Sequence, residues 1–125
     1  MAFKIDTKDT FTIIMPIKGT IDAKMTGALQ EKCVQVRQSG SKNLIIDFSN
    51  CTEMDKNAVE GLIGLHEDSY SREESLVFTG ISKQGTAILK EHETDLLINI
   101  APSMQEAIDI ISMEILERDL FNEEG

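Results

Sequence analysis

Two short polar segments each stand between a predicted strand and a predicted helix. The first runs from Thr20 to Asp22, and the second runs from Asn50 to Asn57 with Asp55, Lys56 and Asn57 at its tip. If the two strands are neighbours, both loops lie at the carboxyl edge of one sheet. Two helix N-termini at one edge attract an anion, such as a phosphoryl group or a carboxylate of a partner protein. The sequence therefore predicts a binding surface at this edge, and a hydroxyl in the first helical turn would suit attachment of a phosphoryl group.

The distribution of apolar residues predicts the strands that position these loops. A short strand, a break at DTKDT and a second strand from about Phe11 to Ile17 predict an N-terminal hairpin. The run NLIIDFSN is continuously apolar and bounded by polar residues, which is typical of a strand covered on both faces. We expect it at the centre of the sheet. The runs SLVFTG and DLLINI are predicted as two further strands.

Four helices are predicted around these strands, and three of them carry a clear apolar stripe. The stripes comprise Met25, Ala28, Leu29, Cys33 and Val36, then Val59, Leu62, Ile63, His66 and Tyr70, and finally Met104, Ala107, Ile108, Ile111 and Ile115. Asp22 and Asp55 suit the N-caps of the first two helices, and Ser103 and Glu106 have capping-box spacing before the last. The third helix, SKQGTAILKEHE, is disfavoured by its internal Gly85.

The order of these elements predicts the fold class. Helices inserted between strands indicate right-handed crossovers to parallel neighbours, and the first strand is added as a hairpin partner. We therefore expect a single α/β domain with a mixed, mostly parallel sheet and about four helices. The chain has 125 residues, which is the usual size of one domain.

The charge and the cysteine content limit the classes of partner. A formal net charge of -10, from 22 acidic and 12 basic side chains, repels phosphate backbones and anionic membrane surfaces. We expect neither a nucleic-acid partner nor a membrane partner, and no signal peptide or spanning helix is evident, which favours the cytoplasm. Cys33 falls on the apolar face of a helix and Cys51 in a loop, so core or surface thiols are favoured over a disulfide or a metal site.

No known catalytic motif occurs in the sequence. We find no GxGxxG, GxxxxGK[ST] or GxSxG, and no acidic, His or Cys residues at catalytic spacing, so neither an enzyme nor a cofactor is predicted. His66 has no second ligand at metal spacing and is expected in the core or at its boundary. A response-regulator receiver with Asp47 or Asp55 as phosphoacceptor is disfavoured, because it needs an acidic pair after the first strand and a lysine after the last.

Four segments together resemble the STAS domain of bacterial anti-sigma factor antagonists. They are IKGTIDAKMTGALQEKC, NLIIDFSNCTEMDKNAVEGLIGLHE, SLVFTGIS and ILKEHETDLLINIAPSMQEAI, and they extend over about residues 3 to 113. The most specific piece runs from Leu44 to Leu65, where the family has a strand, a loop, Asp-Ser-Ser-Gly or Asp-Ser-Thr-Gly, and an apolar helix. Gly19 and Asp22 match a glycine and an aspartate of the preceding loop.

The resemblance implies a mechanism based on protein binding. In such antagonists the second hydroxyl residue of the motif is phosphorylated by a serine kinase that is also the anti-sigma factor. The unmodified antagonist binds this kinase and frees the sigma factor, and the modified form is released. A phosphate of about -1.5 to -2 charge at a packed interface adds repulsion and desolvation cost.

This chain departs from the family pattern at the motif itself. Asp55 matches the motif aspartate, but Lys56 and Asn57 replace the two hydroxyl residues, Ala58 replaces the glycine, and Glu60 adds a charge where a small residue is usual. Asn57, at the phosphoacceptor position, cannot be phosphorylated. We therefore expect a partner-binding surface formed by Asp22, Asp55, Lys56 and Asn57 that acts without the usual phosphorylation. The expected partner is an anti-sigma factor of the serine-kinase type or another STAS-binding protein.

Some alternatives stay open at the level of sequence. Stand-alone STAS subunits also dock on the ATPase of lipid-exporting ABC transport systems, and that role does not need the hydroxyl. Phosphorylation at Ser49 or Thr52, nucleotide binding and a homodimer are likewise undecided. We expect the STAS domain to span residues 3–117 and an acidic tail to follow over residues 118–125.

Overall fold

The central strand of the main sheet is buried along its whole length. This strand, β4, is LIID in sequence, and all four residues are buried. The computed structural model describes residues 2–17 and 19–124. The strands of the main sheet are β1 (Phe3–Thr7), β2 (Thr12–Pro16), β4 (Leu44–Asp47), β6 (Leu76–Thr79) and β7 (Ile100–Ala101). Their order in the sheet is β1-β2-β4-β6-β7, so the prediction that NLIIDFSN lies at the centre is confirmed.

The sheet is mixed, as the order of elements predicts. β1 and β2 form an antiparallel hairpin, in which Ile5 is opposite Ile14. β4 is parallel to both β2 and β6, and β7 is parallel to β6. The four helices are α1 (Ala23–Gln38), α2 (Val59–Ser71), α3 (Lys83–Glu91) and α4 (Met104–Glu124).

The two faces of the sheet contact different helices. On one face, Leu44, Ile46 and Phe78 pack in a core with residues of α1, α2 and α3. On the other face, Ile45 and Val77 pack with residues of α4. Alternate side chains of a strand point to opposite faces, so the continuous apolar runs of β4 and β6 serve both layers.

A second, two-stranded sheet lies within the two polar loops and was not predicted. β3 (Gly19–Ile21) and β5 (Cys51–Met54) are parallel, with Ile21 opposite Met54. The strands have three and four residues, and β5 is buried only at its two ends. Strands this short have no alternating apolar pattern, which is why the sequence did not indicate them.

The last predicted strand is shorter than expected. The sequence predicts a strand over DLLINI, but only Ile100 and Ala101 pair with β6. Residues Thr94–Leu96 instead form a 3-10 turn, in which the Leu97 amide donates to the Thr94 carbonyl at 2.9 Å. Two adjacent leucines resemble a buried strand in the sequence, but Leu96 is 78% exposed.

The C-terminal segment continues α4. The helix runs to Glu124, so the described part of the expected tail is helical. Gly125 lies outside the described residues. Arg118 holds this part of α4 to the domain, because its Nη2 donates to Ser75 Oγ at 2.8 Å and to Asn43 Oδ1 at 3.1 Å. A domain boundary at residue 117 stays a prediction. No helix within the described ranges has the length and apolar content needed to cross a membrane.

We expect Gly61→Ala to lower the free energy of unfolding by about 1–3 kcal/mol, because overpacking of a tight contact forces the neighbours to shift. A Cβ at Gly61 of α2 would overlap the side chain of Thr26 of α1. The matched control is Gly27→Ala in α1, whose added Cβ would have no neighbouring atom within 4 Å. That change should stabilise the protein by up to about 1 kcal/mol through helix propensity.

Urea denaturation followed by circular dichroism measures both effects. A Gly61→Ala protein as stable as the Gly27→Ala protein would contradict the close approach of α1 and α2 at this point.

Candidate functional site

Backbone pairing brings the two polar loops together. Ile21 of β3 is opposite Met54 of β5, and the Asp55 amide donates to the Ile21 carbonyl at 2.8 Å. Asp22 and Asp55 therefore follow two adjacent, parallel strands. We call the surface formed by Asp22, Asp55, Lys56 and Asn57 the rim. The prediction that the two loops lie side by side is confirmed.

Both aspartates cap the turns that they precede. Asp22 Oδ1 accepts a hydrogen bond from the Met25 amide at 2.8 Å and caps α1, as expected. Asp55 Oδ1 accepts one from the Asn57 amide at 2.8 Å, but it caps a 3-10 turn of residues Lys56–Ala58. The expectation that Asp55 caps α2 directly is therefore wrong. The 3-10 turn intervenes, and α2 begins at Val59 without a side-chain cap.

The tip of the second loop projects into solvent. Asp55, Lys56 and Asn57 are all exposed, whereas Ala58 is fully buried. Asp22 is partly buried. Since only backbone atoms of Lys56 and Asn57 take part in the turn, their side chains can contact a partner.

A groove of about 430 Å³ extends the rim along α2. One wall has Asn57, Glu60 and Ile63, and the other has His92 and Thr94, which follow α3. The Thr94 side chain is fully buried, and its Oγ1 has no hydrogen-bond partner among the described residues. Sequence patterns did not indicate His92 and Thr94 as site residues, because both lie in a turn far from the loop in the chain.

Gln84 supports the rim from the side. Its amide group forms two hydrogen bonds with the backbone of Met54, from Met54 N to Gln84 Oε1 at 2.7 Å and from Gln84 Nε2 to Met54 O at 2.8 Å. These bonds satisfy the free edge of β5 as a neighbouring strand would. Gly85 permits this approach, because a Cβ there would lie 2.8 Å from Ile81 and 3.3 Å from Met54. The residue that disfavours α3 as a helix therefore allows α3 to reach the rim.

The loop after β4 is fixed by Asp47. Its buried carboxylate accepts hydrogen bonds from the amide of Ser49, at 3.0 Å, and from the Ser49 hydroxyl. Gly80 has a φ of 75°, and a Cβ there would collide with Asp47 and Ser49. Asp47 therefore shapes the turn that leads into β5, and the Ser49 hydroxyl is engaged in that turn.

The two cysteines and His66 are not part of the rim. Both thiols are free and buried, and burial raises the pKa of Cys33 to about 11 and the pKa of Cys51 in the same direction. Cys51 is part of β5 and not of an open loop. Burial lowers the pKa of His66, whose ring lies 4.4 Å from that of Tyr70. Among the described residues no group of three His, Cys, Asp or Glu side chains is placed to hold a metal ion.

A family model places this arrangement in a known class. The STAS domain model matches residues 2–107, which is most of the chain. The chain therefore belongs to the STAS domain family. No curated protein matches it significantly in sequence.

Solved structures of anti-sigma factor antagonists share the fold. A candidate anti-sigma factor antagonist from Thermotoga maritima is 14% identical with a TM-score of 0.76, and the match covers 88% of this chain and 94% of that one. SpoIIAA of Bacillus in its unphosphorylated form is 17% identical with a TM-score of 0.67, covering 89% and 96%. A serine-to-glutamate variant of RsbS from Moorella thermoacetica is 22% identical with a TM-score of 0.72, covering 94% and 99%. At these identities the likeness shows the fold alone.

We expect Gln84→Ala to destabilise the protein by about 1–2 kcal/mol, because two hydrogen bonds to the Met54 backbone are lost. Hydrogen exchange at the Met54 amide should accelerate more than exchange in β4. Urea denaturation and amide exchange measured by NMR test the two effects. The control is Lys83→Ala, an exposed neighbour in the same helix. Unchanged exchange at Met54 in the Gln84 variant would show that Gln84 does not protect the edge of β5.

Proposed function

We propose that this STAS protein is a regulator of the anti-sigma factor antagonist type, which acts by binding an anti-sigma factor of the serine-kinase class through the rim. It needs no catalysis of its own. The observation that carries the proposal is the pairing of β3 with β5, which places Asp22 beside Asp55 at the carboxyl edge of two parallel strands. The fold that this chain shares with the antagonists SpoIIAA and RsbS also supports the proposal.

The partner contacts the exposed tip at Lys56 and Asn57 and the adjoining groove. Lys56 supplies a cation at a rim that otherwise carries Asp22 and Asp55, and Glu60 lies in the adjoining groove. Val59 and Ile63 add apolar surface at the groove, and both line it together with the rim residues. Mixed apolar and charged groups around a recess suit a protein side chain that inserts with its polar end outward.

In this proposal, partner binding is not controlled by phosphorylation at the family's usual position. Asn57 has the place of the phosphoacceptor, and its amide side chain has no hydroxyl to accept a phosphoryl group. SpoIIAA has been solved in both phosphorylated and unphosphorylated forms, so that relative does carry the modification. Here the rim keeps a fixed charge, and partner binding depends on the amounts of the two proteins or on a change elsewhere.

We expect Asn57→Asp to weaken partner binding by at least about tenfold, because it adds a negative charge at the interface beside Asp55. An affinity pull-down from native lysate, with captured proteins identified by mass spectrometry, compares this variant with the wild type. The wild-type protein is expected to capture a serine kinase of the anti-sigma type. Gln38→Glu is the matched control, since it adds the same charge at the exposed far end of α1.

Two results would contradict the proposal. Equal capture of the kinase by wild type and Asn57→Asp would remove the rim from the interface. Capture of a transporter ATPase in place of a kinase would replace the antagonist role with that of a transport accessory subunit.

We expect the wild-type chain to gain no phosphate when it is incubated with the captured kinase and ATP, because Asn57 replaces the hydroxyl residue. Asn57→Ser should gain one phosphate, which intact-mass spectrometry detects, and Asn57→Gln is the control of similar polarity without a hydroxyl. A phosphate on the wild-type protein at Ser49 or Thr52 would overturn the expectation of a rim without phosphoryl control.

A further inference from the structure

The outward face of α4 carries an apolar stripe that the described residues leave more than half exposed. Met113, Leu116 and Leu120 are 61%, 58% and 53% exposed. Their spacing of three and four residues aligns them along one side of the helix. Ala107 and Ile111 of the same helix are fully buried on the opposite side, against the sheet. The stripe also lies beyond residue 107, where the STAS family model ends.

The sides of this stripe are negatively charged. Glu106, Asp109 and Glu117 are exposed beside it. Arg118 is the only Lys or Arg between residues 104 and 124, and its guanidinium turns inward to Asn43 and Ser75. The outward face of α4 therefore combines apolar side chains with carboxylates and offers no cation of its own.

Contacts on its inner side hold α4 in a fixed orientation. The Tyr70 hydroxyl donates to Glu114 Oε1 at 2.7 Å, and Asn99 Nδ2 donates to Glu114 Oε2 at 3.4 Å. Arg118 adds the two hydrogen bonds described above. These contacts anchor α4 at Glu114 and Arg118, within the segment that carries the stripe. A partner would therefore meet a preorganised surface.

We propose that the outward face of α4 docks an amphipathic helix of a protein partner that has apolar residues on one side and Lys or Arg residues flanking them. Charge complementarity selects this occupant. A second copy of the chain would bring two acidic flanks together in a protein of net charge -10. An anionic membrane surface would be repelled in the same way.

This surface is distinct from the rim. α4 packs on the face of the sheet that contains Ile45 and Val77, whereas the helices that carry the rim pack on the other face. Binding of a basic helix to α4 therefore leaves the rim accessible, and the chain can hold two partners at once. The inference does not rest on the proposed antagonist function.

The test uses a fluorescent synthetic peptide of about five helical turns, with leucines on one face and lysines flanking them. Fluorescence anisotropy should show saturable binding to the full-length protein that weakens as salt is added. The double variant Leu116→Gln/Leu120→Gln should bind at least about tenfold more weakly, because the buried apolar contact is lost. Leu96→Gln/Leu97→Gln is the matched control, because it removes two leucines elsewhere that are also more than half exposed.

Charge is tested separately. Asp109→Asn/Glu117→Gln should weaken binding and reduce its dependence on salt, and a peptide with glutamates in place of the lysines should not bind. Circular dichroism verifies that each variant keeps its helix content.

Three outcomes would overturn the proposal. The first is equal affinity of the Leu116→Gln/Leu120→Gln protein and the wild type. The second is sedimentation of the wild type as a dimer that the same double variant converts to a monomer, which would assign the stripe to a second copy. The third is cosedimentation of the wild-type protein with anionic phospholipid vesicles that the same double variant abolishes, which would assign the stripe to a lipid surface.

Discussion

The parallel pairing of β3 with β5 is the interaction on which the rim depends. Each strand is too short to be stable alone, and the two are joined by backbone hydrogen bonds that extend to Asp55 and the Ile21 carbonyl. Their stability comes from the core beneath them, where Ile21 and Met54 are buried together with Met25. The backbone of the two loops is therefore held by packing, and the side chains at the tip of the second loop remain exposed to solvent.

The β5 edge of this small sheet is satisfied by a side chain from a neighbouring helix. Gln84 reaches from α3 to the backbone of Met54, and Gly85 gives α3 the space to come this close. A free strand edge would otherwise expose unpaired amide and carbonyl groups to another chain. The same close approach brings the turn after α3, with His92 and Thr94, to the groove beside Asn57. The site is thus composed of three elements that are distant in the chain.

α4 differs from the other helices because it is apolar on two sides. Ala107 and Ile111 cover the sheet, while Met113, Leu116 and Leu120 face solvent. An exposed apolar stripe of this kind marks a candidate contact surface. Its acidic flanks and the inward orientation of Arg118 are the observations from which we propose a basic, amphipathic partner helix.

The layers of this protein and the N-cap of α1 could be predicted from the amino-acid sequence alone. The uninterrupted apolar run of β4 required cover on both faces, the stripe of α1 followed helical spacing, and Asp22 proved to be the N-cap of α1. These features follow from local periodicity and capping chemistry, which neighbouring residues largely set. The motif around Asp55 likewise predicted the place of the rim, although not the 3-10 turn that precedes α2.

How the loops are held, and what surrounds them, depends on contacts between distant parts of the chain. The strands β3 and β5 are stable because each pairs with the other across about thirty residues of chain, a contact that no local pattern encodes. The prediction that the leucines at positions 96 and 97 belong to a strand was wrong, because β6 pairs only with Ile100 and Ala101. Gln84, His92 and Thr94 joined the site through the position of α3, and the exposed stripe of α4 became evident once the sheet had covered its other side. Periodicity shows which residues are apolar, but the packing of distant elements determines which of them remain uncovered.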